Sequence, residues 1–286
     1  MPFQAASNVA IGEDEVAIVL RYGVLGTHLG VAIQGEDGVP VVMHLAFHRL
    51  FRKEAYPGQP GEWSAAIVPL PPVASASVVA ILRGLGDQFA GKGGGGPNYG
   101  INLKLSLGSI QQDGLYVPPN GSDGHTCATI VADTFRSARA PLVDLETWLD
   151  SDENRIWGKA IECMLLAYAK DKPVTQAYGQ AKIVKANNQG FRLLPEEVAA
   201  ASQLPVAQRP AAQAALAQLC TQAVAEMQQA CAGPLDAGIF TKCVKQYEQE
   251  LVQLAAKRKA AAAAEPLAAA QPVEPAEGQE NPAGMK

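Results

Sequence analysis

The chain begins with short apolar runs broken by turn residues and changes, past its middle, to apolar positions spaced three and four apart. Val16-Ala17-Ile18-Val19-Leu20 is continuously apolar and rich in β-branched residues, which predicts a buried strand. Residues 27–34 and 39–45 flank Gly35-Glu36-Asp37-Gly38 and predict a β-hairpin. Residues 46–62 are polar, end in Pro57, Gly58, Pro60 and Gly61, and read as a surface connector. No charge occurs from 63 to 82, yet Pro69, Pro71 and Pro72 would break a spanning helix, so an extended core segment is expected there. A helix over 75–89 would bury Val78, Val79, Leu82 and Leu85. The glycine run 91–97 lacks the spacing of a phosphate loop and predicts a flexible flap.

Gly124-His125-Thr126-Cys127 leads directly into Ile130, Val131, Thr134, Phe135 and Ala138, the buried stripe of a helix that Thr126 or Asp123 can cap. Residues 142–148 and 156–169 also read as helical, and 182–185 as a short strand. From 195 the composition turns to alanine and glutamine. Leu216, Leu219, Ala223, Val224 and Met227 mark one amphipathic helix; Phe240, Val244, Tyr247, Leu251 and Leu254 mark another. Gly233-Pro234 between them predicts an antiparallel helical hairpin, an accessory packing unit or a handle for a protein partner. An alanine run ends at Ala264, and the Pro, Ala, Glu and Gln tail to Lys286 is too poor in apolar residues to order itself. Three regions follow: a first domain over 1–194, which would hold any catalytic site, the hairpin over 195–264 and a disordered tail over 265–286.

Composition narrows the function. A net charge of −5 offers no basic field, so nucleic acid is not an expected partner. No transmembrane segment is expected, and the first residues lack the basic start and apolar centre of a signal peptide. The protein is expected to be cytoplasmic as synthesised, with export needing a machine independent of a signal peptide. Five cysteines, at 127, 163, 220, 231 and 243, are odd in number and form no CxxC pair. They argue against a disulfide framework and fit a reducing compartment, with Cys163 a packing residue.

The candidate chemistry rests on Cys127. In the first turn of a helix, unpaired amides and the positive end of the dipole favour a thiolate, the nucleophilic form. Such a nucleophile needs a base and a third group to orient the base. The chain has four histidines, at 28, 44, 48 and 125. His28 and His44 stand near the outer ends of the two hairpin strands, and loop length decides whether they cooperate. An odd-numbered loop puts them on one face; a two-residue Asp37-Gly38 turn, which this dipeptide favours, puts them on opposite faces. His48 reads as a solvated loop residue and His125 as a turn residue or a support behind the site. A metal site built from His44, His48, His125 and Cys127 is the chemical rival, but a four-residue step does not converge on a strand. No metal and no cofactor is expected.

The segments Thr27-His28-Leu29-Gly30-Val31-Ala32-Ile33, Val41-Val42-Met43-His44-Leu45 and Thr126-Cys127-Ala128-Thr129-Ile130-Val131 resemble the circularly permuted branch of the NlpC-type papain-like superfamily. That branch includes the lecithin retinol acyltransferase group. The resemblance covers about residues 14–140, and Thr126 stands where the acyltransferase group has asparagine. It implies an α+β fold, a permuted papain-like antiparallel sheet packed on helices, here followed by the helical hairpin. It also implies Cys127 as nucleophile, His28 as general base, His44 as orienting residue and the Cys127 amide in an oxyanion hole. The expected activity is a cysteine hydrolase of the amidase or peptidase kind. It would cleave an amide bond in a peptide or cell-wall peptide through an acyl-enzyme, as in an exported bacterial effector. The alternatives are a lipid acyltransferase or thioesterase acting on an acyl lipid, and a binding module that has lost catalysis.

Overall fold

The computed structural model describes residues 2–89, 95–172, 175–233 and 236–264. The flap expected over 91–97 falls largely, and the tail over 265–286 wholly, outside the described residues. Among the described residues the fold is α+β, with a six-stranded antiparallel sheet and eight α-helices. The strands are β1 (Gln4–Ala5), β2 (Val16–Gly23), β3 (Gly26–Gln34), β4 (Pro40–Phe47), β5 (Leu50–Ala55) and β6 (Ser64–Ile67), ordered β1-β6-β2-β3-β4-β5. The helices are α1 (Pro72–Phe89), α2 (Leu103–Ser106), α3 (Cys127–Ser137), α4 (Asp152–Asp171), α5 (Thr175–Ala186), α6 (Pro195–Gln203), α7 (Ala217–Ala230) and α8 (Thr241–Ala264).

Alternation of side chains sorts the sheet into two faces. Val16, Ile18 and Leu20 of β2, Leu29, Val31 and Ile33 of β3, and Val41, Met43 and Leu45 of β4 join the main core with α1 and α3. Ala17, Val19, Ala32 and Val42 point the other way and share a smaller core with Ala6, Ile11, Trp63 and Ala65. With both faces covered, the apolar continuity of residues 16–20 is explained. Helix α1 starts at Pro72, whose fixed φ and missing N–H suit a first helical position, and buries the expected Val78, Val79, Leu82 and Leu85.

Several sequence expectations are corrected. Part of the 46–62 connector is the edge strand β5, in which only Phe51 is buried. Its Arg52, Lys53 and Glu54 give it the polarity of a loop, as charged edge strands commonly have. Residues 182–185 lie in α5, packed on α4. Of 142–148 only Leu145–Thr147 is helical, as a 3-10 turn. The two late helices form at the expected places but do not pair as a hairpin: α7 packs on α6 and the β1–β6 edge, and α8 packs on α4. Leu216, Ala223 and Met227 thereby enter the main core.

The disulfide expectation is also overturned. Cys163 of α4 and Cys243 of α8 are bonded, with Cα atoms 5.7 Å apart, across a sequence separation of 80. The pairing follows from the packing of α8 on α4, which cysteine spacing does not reveal, and it removes the argument for a reducing compartment. Replacing both residues by alanine is expected to lower unfolding stability by about 2–4 kcal/mol, the usual effect of opening a long closed loop. Denaturant unfolding would check this; an unchanged midpoint would mean that the bond does not cross-link the native chain.

Candidate active site

Helix α3 begins where its sequence says it should. Thr126 is the N-cap: its Oγ1 accepts from the Thr129 amide at 3.1 Å, and Thr129 Oγ1 accepts from the Thr126 amide at 2.8 Å. The turn before it admits only glycine at 124, where φ is +109° and a Cβ would come 2.2 Å from the Asn98 carbonyl oxygen. Asp133, fully buried on α3, accepts from the amides of Gly108, Ser109 and Ile110 at 3.0, 3.0 and 3.1 Å. Cys127 thus occupies the first helical position, held from both sides, and is buried.

The parity question of the hairpin is resolved by its loop. Strands β3 and β4 pair Gln34 with Pro40 and Val31 with Met43, leaving Gly35–Val39, an odd number of residues, as the connection. Asp37 does not form the two-residue turn; its Oδ1 accepts from the Val39 amide at 3.1 Å, and the Gly35 amide donates to the Val39 carbonyl at 2.8 Å. His28 and His44 therefore share a face, and His28 Nε2 lies 2.8 Å from His44 Nδ1. This face also carries Trp63, whose ring centroid is 5.9 Å from that of His28 and 5.4 Å from that of His44.

A polar row crosses four strands here. Arg21 of β2 is opposite His28, and His44 is opposite Arg52 of β5, with Glu54 two residues on along the same face. His44 Nε2 lies 3.2 Å from Glu54 Oε2, off the line of a straight hydrogen bond. Arg21 closes the row: it is 2.6 Å from Glu62 and 4.0 Å from Glu54, with its guanidinium over Trp63 at 4.2 Å.

The electrostatics follow from burial. Desolvation pushes His28 well below the usual imidazole range, and its neighbours His44, Arg21 and Arg52 add to this. His44 is also lowered by desolvation, against the pull of Glu54. Glu54 is held down at about 2, chiefly by the His44 ring, so it is ionised at neutral pH. An ionised Glu54 favours the proton on His44 Nε2, which makes Nδ1 the acceptor and His28 Nε2–H the donor. His28 then keeps a free lone pair on Nδ1, the form a general base requires.

Cys127 departs from expectation. Burial raises its thiol above the usual range, outweighing hydrogen bonds from the Leu29 and Ala128 amides and the field of Arg192. The resting site pairs a neutral thiol with a neutral imidazole, because loss of water outweighs the helix end. The structure brings Cys127 and His28 to the walls of one cavity that is partly open to solvent. No hydrogen bond joins the two side chains among the described residues. The cavity lies where β3 and β4 stop pairing beyond Val31 and Met43, so a side chain from one face of the sheet and a helix start from the other both reach it.

His48 and His125 have other duties. His48 is buried, not solvated, and its Nδ1 accepts from the Tyr99 amide at 3.3 Å. His125 is buried, with Nδ1 3.2 Å from Thr129 Oγ1, and so supports the helix cap. No group of three metal-ligating side chains converges among the described residues. Glu54, Arg21, Trp63 and Arg192 escaped the sequence reading; the register that aligns the first two was its missing signal. No helix among the described residues is long and apolar enough to cross a membrane. Neither protein-family models, curated proteins nor solved structures give a match to this chain.

Two outcomes are expected. In ring 15N NMR at neutral pH, His28 should be protonated on Nε2 and bare on Nδ1, and Glu54→Ala should mix the His44 tautomers; unchanged His44 shifts would show that Glu54 does not set them. His28 and His44 have folded values below 6.5, and His48 and His125 fall to about 4, so the unfolded chain takes up protons first on acidification. Stability present above about pH 6.5 should be lost as pH falls toward 4. A thermal midpoint flat over that window would contradict the burial of neutral imidazoles.

Proposed function

We propose that the chain is a cysteine-nucleophile enzyme of permuted papain-like fold that processes an acyl compound through an acyl-enzyme on Cys127, with hydrolysis of an amide bond as its reaction. What carries this is the cavity shared by Cys127, at a capped helix start, and His28, whose free nitrogen is set by the His44 and Glu54 relay.

His28 Nδ1 takes the thiol proton as the sulfur attacks the acyl carbon, so a C–S bond forms from two neutral partners without a resting ion pair. The oxyanion is stabilised by backbone amides at the start of α3, that of Cys127 among them. His28 then gives the proton to the leaving amine as the C–N bond breaks, and water releases the acyl group by the same steps in reverse. A peptide or cell-wall peptide suits this chemistry, and the Cys163–Cys243 bond fits a place of action outside a reducing cytosol, reached as an exported effector.

Two specific observations favour other readings. The cavity walls at Leu25, Phe47, Ile161, Met164 and Phe240 are apolar, which suits a lipid acyltransferase or a thioesterase. The raised thiol and the missing Cys127–His28 hydrogen bond suit a binding module without catalysis.

One experiment separates them. The full chain is incubated with p-nitrophenyl octanoate, octanoyl thioester and peptide p-nitroanilides, and acylation is followed by intact mass and peptide mapping. Acylation on Cys127, absent in Cys127→Ala and slowed about 10²- to 10⁴-fold in His28→Ala, is expected for the enzyme. Turnover of the anilides favours amide hydrolysis, and turnover restricted to ester and thioester favours the runner-up. Acylation that never reaches Cys127 leaves the binding module.

A further inference from the structure

Two arginines line the cavity, and they differ in what neutralises them. Arg21 is bound to Glu62 and close to Glu54. Arg192, in the segment between α5 and α6, makes no ion pair among the described residues. Its guanidinium stacks on the indole of Trp157 at 3.9 Å, an arrangement that fixes the plane of the group while leaving its N–H edges unspent. The nearby acid Glu196, in the first turn of α6, accepts from the Thr27 hydroxyl and makes no ion pair with Arg192 among the described residues. Apart from the two arginines and the His28, Thr27, Thr126 and Cys127 side chains, the walls are mostly apolar. A half-buried cation in such surroundings, held by stacking alone, is suited to an incoming anion, and a planar guanidinium matches carboxylate and phosphate oxygens two at a time.

Resting on the reading of Cys127 as the nucleophile, we infer that Arg192 is the anion-binding residue of this cavity. The acyl compound processed here then carries an apolar group together with a carboxylate or phosphate close to the scissile bond. Arg192 is a specificity residue in this account: it seats the anion, and the apolar wall seats the rest. A neutral acyl compound of the same length would lose the guanidinium contact and gain nothing in exchange.

The test needs no natural substrate. Cys127 of the full chain is alkylated with iodoacetate and, separately, with iodoacetamide, reagents alike in reaction and size but not in charge, and both rates are read by peptide mass. The half-buried free thiol Cys220 serves as an internal reference. The iodoacetate-to-iodoacetamide ratio should be about tenfold higher at Cys127 than at Cys220, and Arg192→Gln should bring it down to the reference. Arg192→Lys should retain part of the preference. Because the quantity is a ratio, a change in thiolate fraction cancels. Protection of Cys127 from iodoacetamide by octanoate points to a carboxylate, by octyl phosphate to a phosphate, with octanol as the neutral control.

A ratio at Cys127 equal to that at Cys220, a ratio unmoved by Arg192→Gln, or equal protection by octanol would overturn the anion site while leaving the nucleophile in place. A Cys127 inert to both reagents would overturn the anion site and the acyl-enzyme together.

Discussion

The odd-numbered loop Gly35–Val39 is the constraint on which the site depends. Side chains alternate along a strand, so adding or removing one residue there would send His44 to the opposite face from His28. The loop holds its length through backbone bonds from Gly35 and Gly38 and through Asp37, which caps Val39 instead of entering a two-residue turn. Gly35 is suited to this place because a Cβ would come 2.8 Å from both the Val39 carbonyl oxygen and Asp37 Oδ1. That register joins the two halves of the polar row: the β2–β3 ladder sets Arg21 opposite His28, the β4–β5 ladder sets His44 opposite Arg52 with Glu54 in reach, and the loop puts both halves on one face. Trp63 packs against both rings, and burial of the row keeps both imidazoles neutral.

The position of the thiol follows from a second break in regularity. Were β3 and β4 paired along their whole length, the sheet would wall the imidazoles off from α3. Their ladder ends at Val31 and Met43, and the gap beyond becomes the cavity. Placing Cys127 there gives it hydrogen bonds from Leu29 and Ala128 yet removes it from water, and the second effect is the larger. The proposed chemistry therefore relies on proton transfer at the moment of attack, which is why the tautomer of His28 carries more weight than the end of the helix dipole.

Elements with a strong local signal were legible in the sequence: the apolar run 16–20, the stripe of α3, its Thr126 cap and the late amphipathic helices. Features set by packing between distant segments were not. Strand β5 is read as a loop because an edge strand keeps its charges in solvent, so Glu54 stayed hidden although its residue type was plain. His48 stands in a polar stretch, yet its burial comes from the 95–100 segment folding over it, where Tyr99 donates to its ring. Residues 182–185 have β-branched composition in a helix stabilised by α4, a case of tertiary packing overriding propensity.

The second half of the chain belongs to the site, which its alanine-rich composition conceals. Trp157, Ile161 and Met164 of α4 form one wall of the cavity, and Phe240, just before α8, forms another, packed on Phe47 with ring centroids 5.4 Å apart. Cys243, three residues after Phe240, is bonded to Cys163 on the same helix as that first wall. The bond therefore fixes the distance between two sides of the cavity. Helix α6 joins them by packing on β2, β3 and α3, with Pro195 at its start also lining the space, so Arg192 and Leu193 just before it are carried to the cavity that Cys127 lines. Residues beyond 140, where the sequence resemblance ends, thus supply a large part of the cavity wall, while the segments that carry the resemblance supply Cys127 and His28.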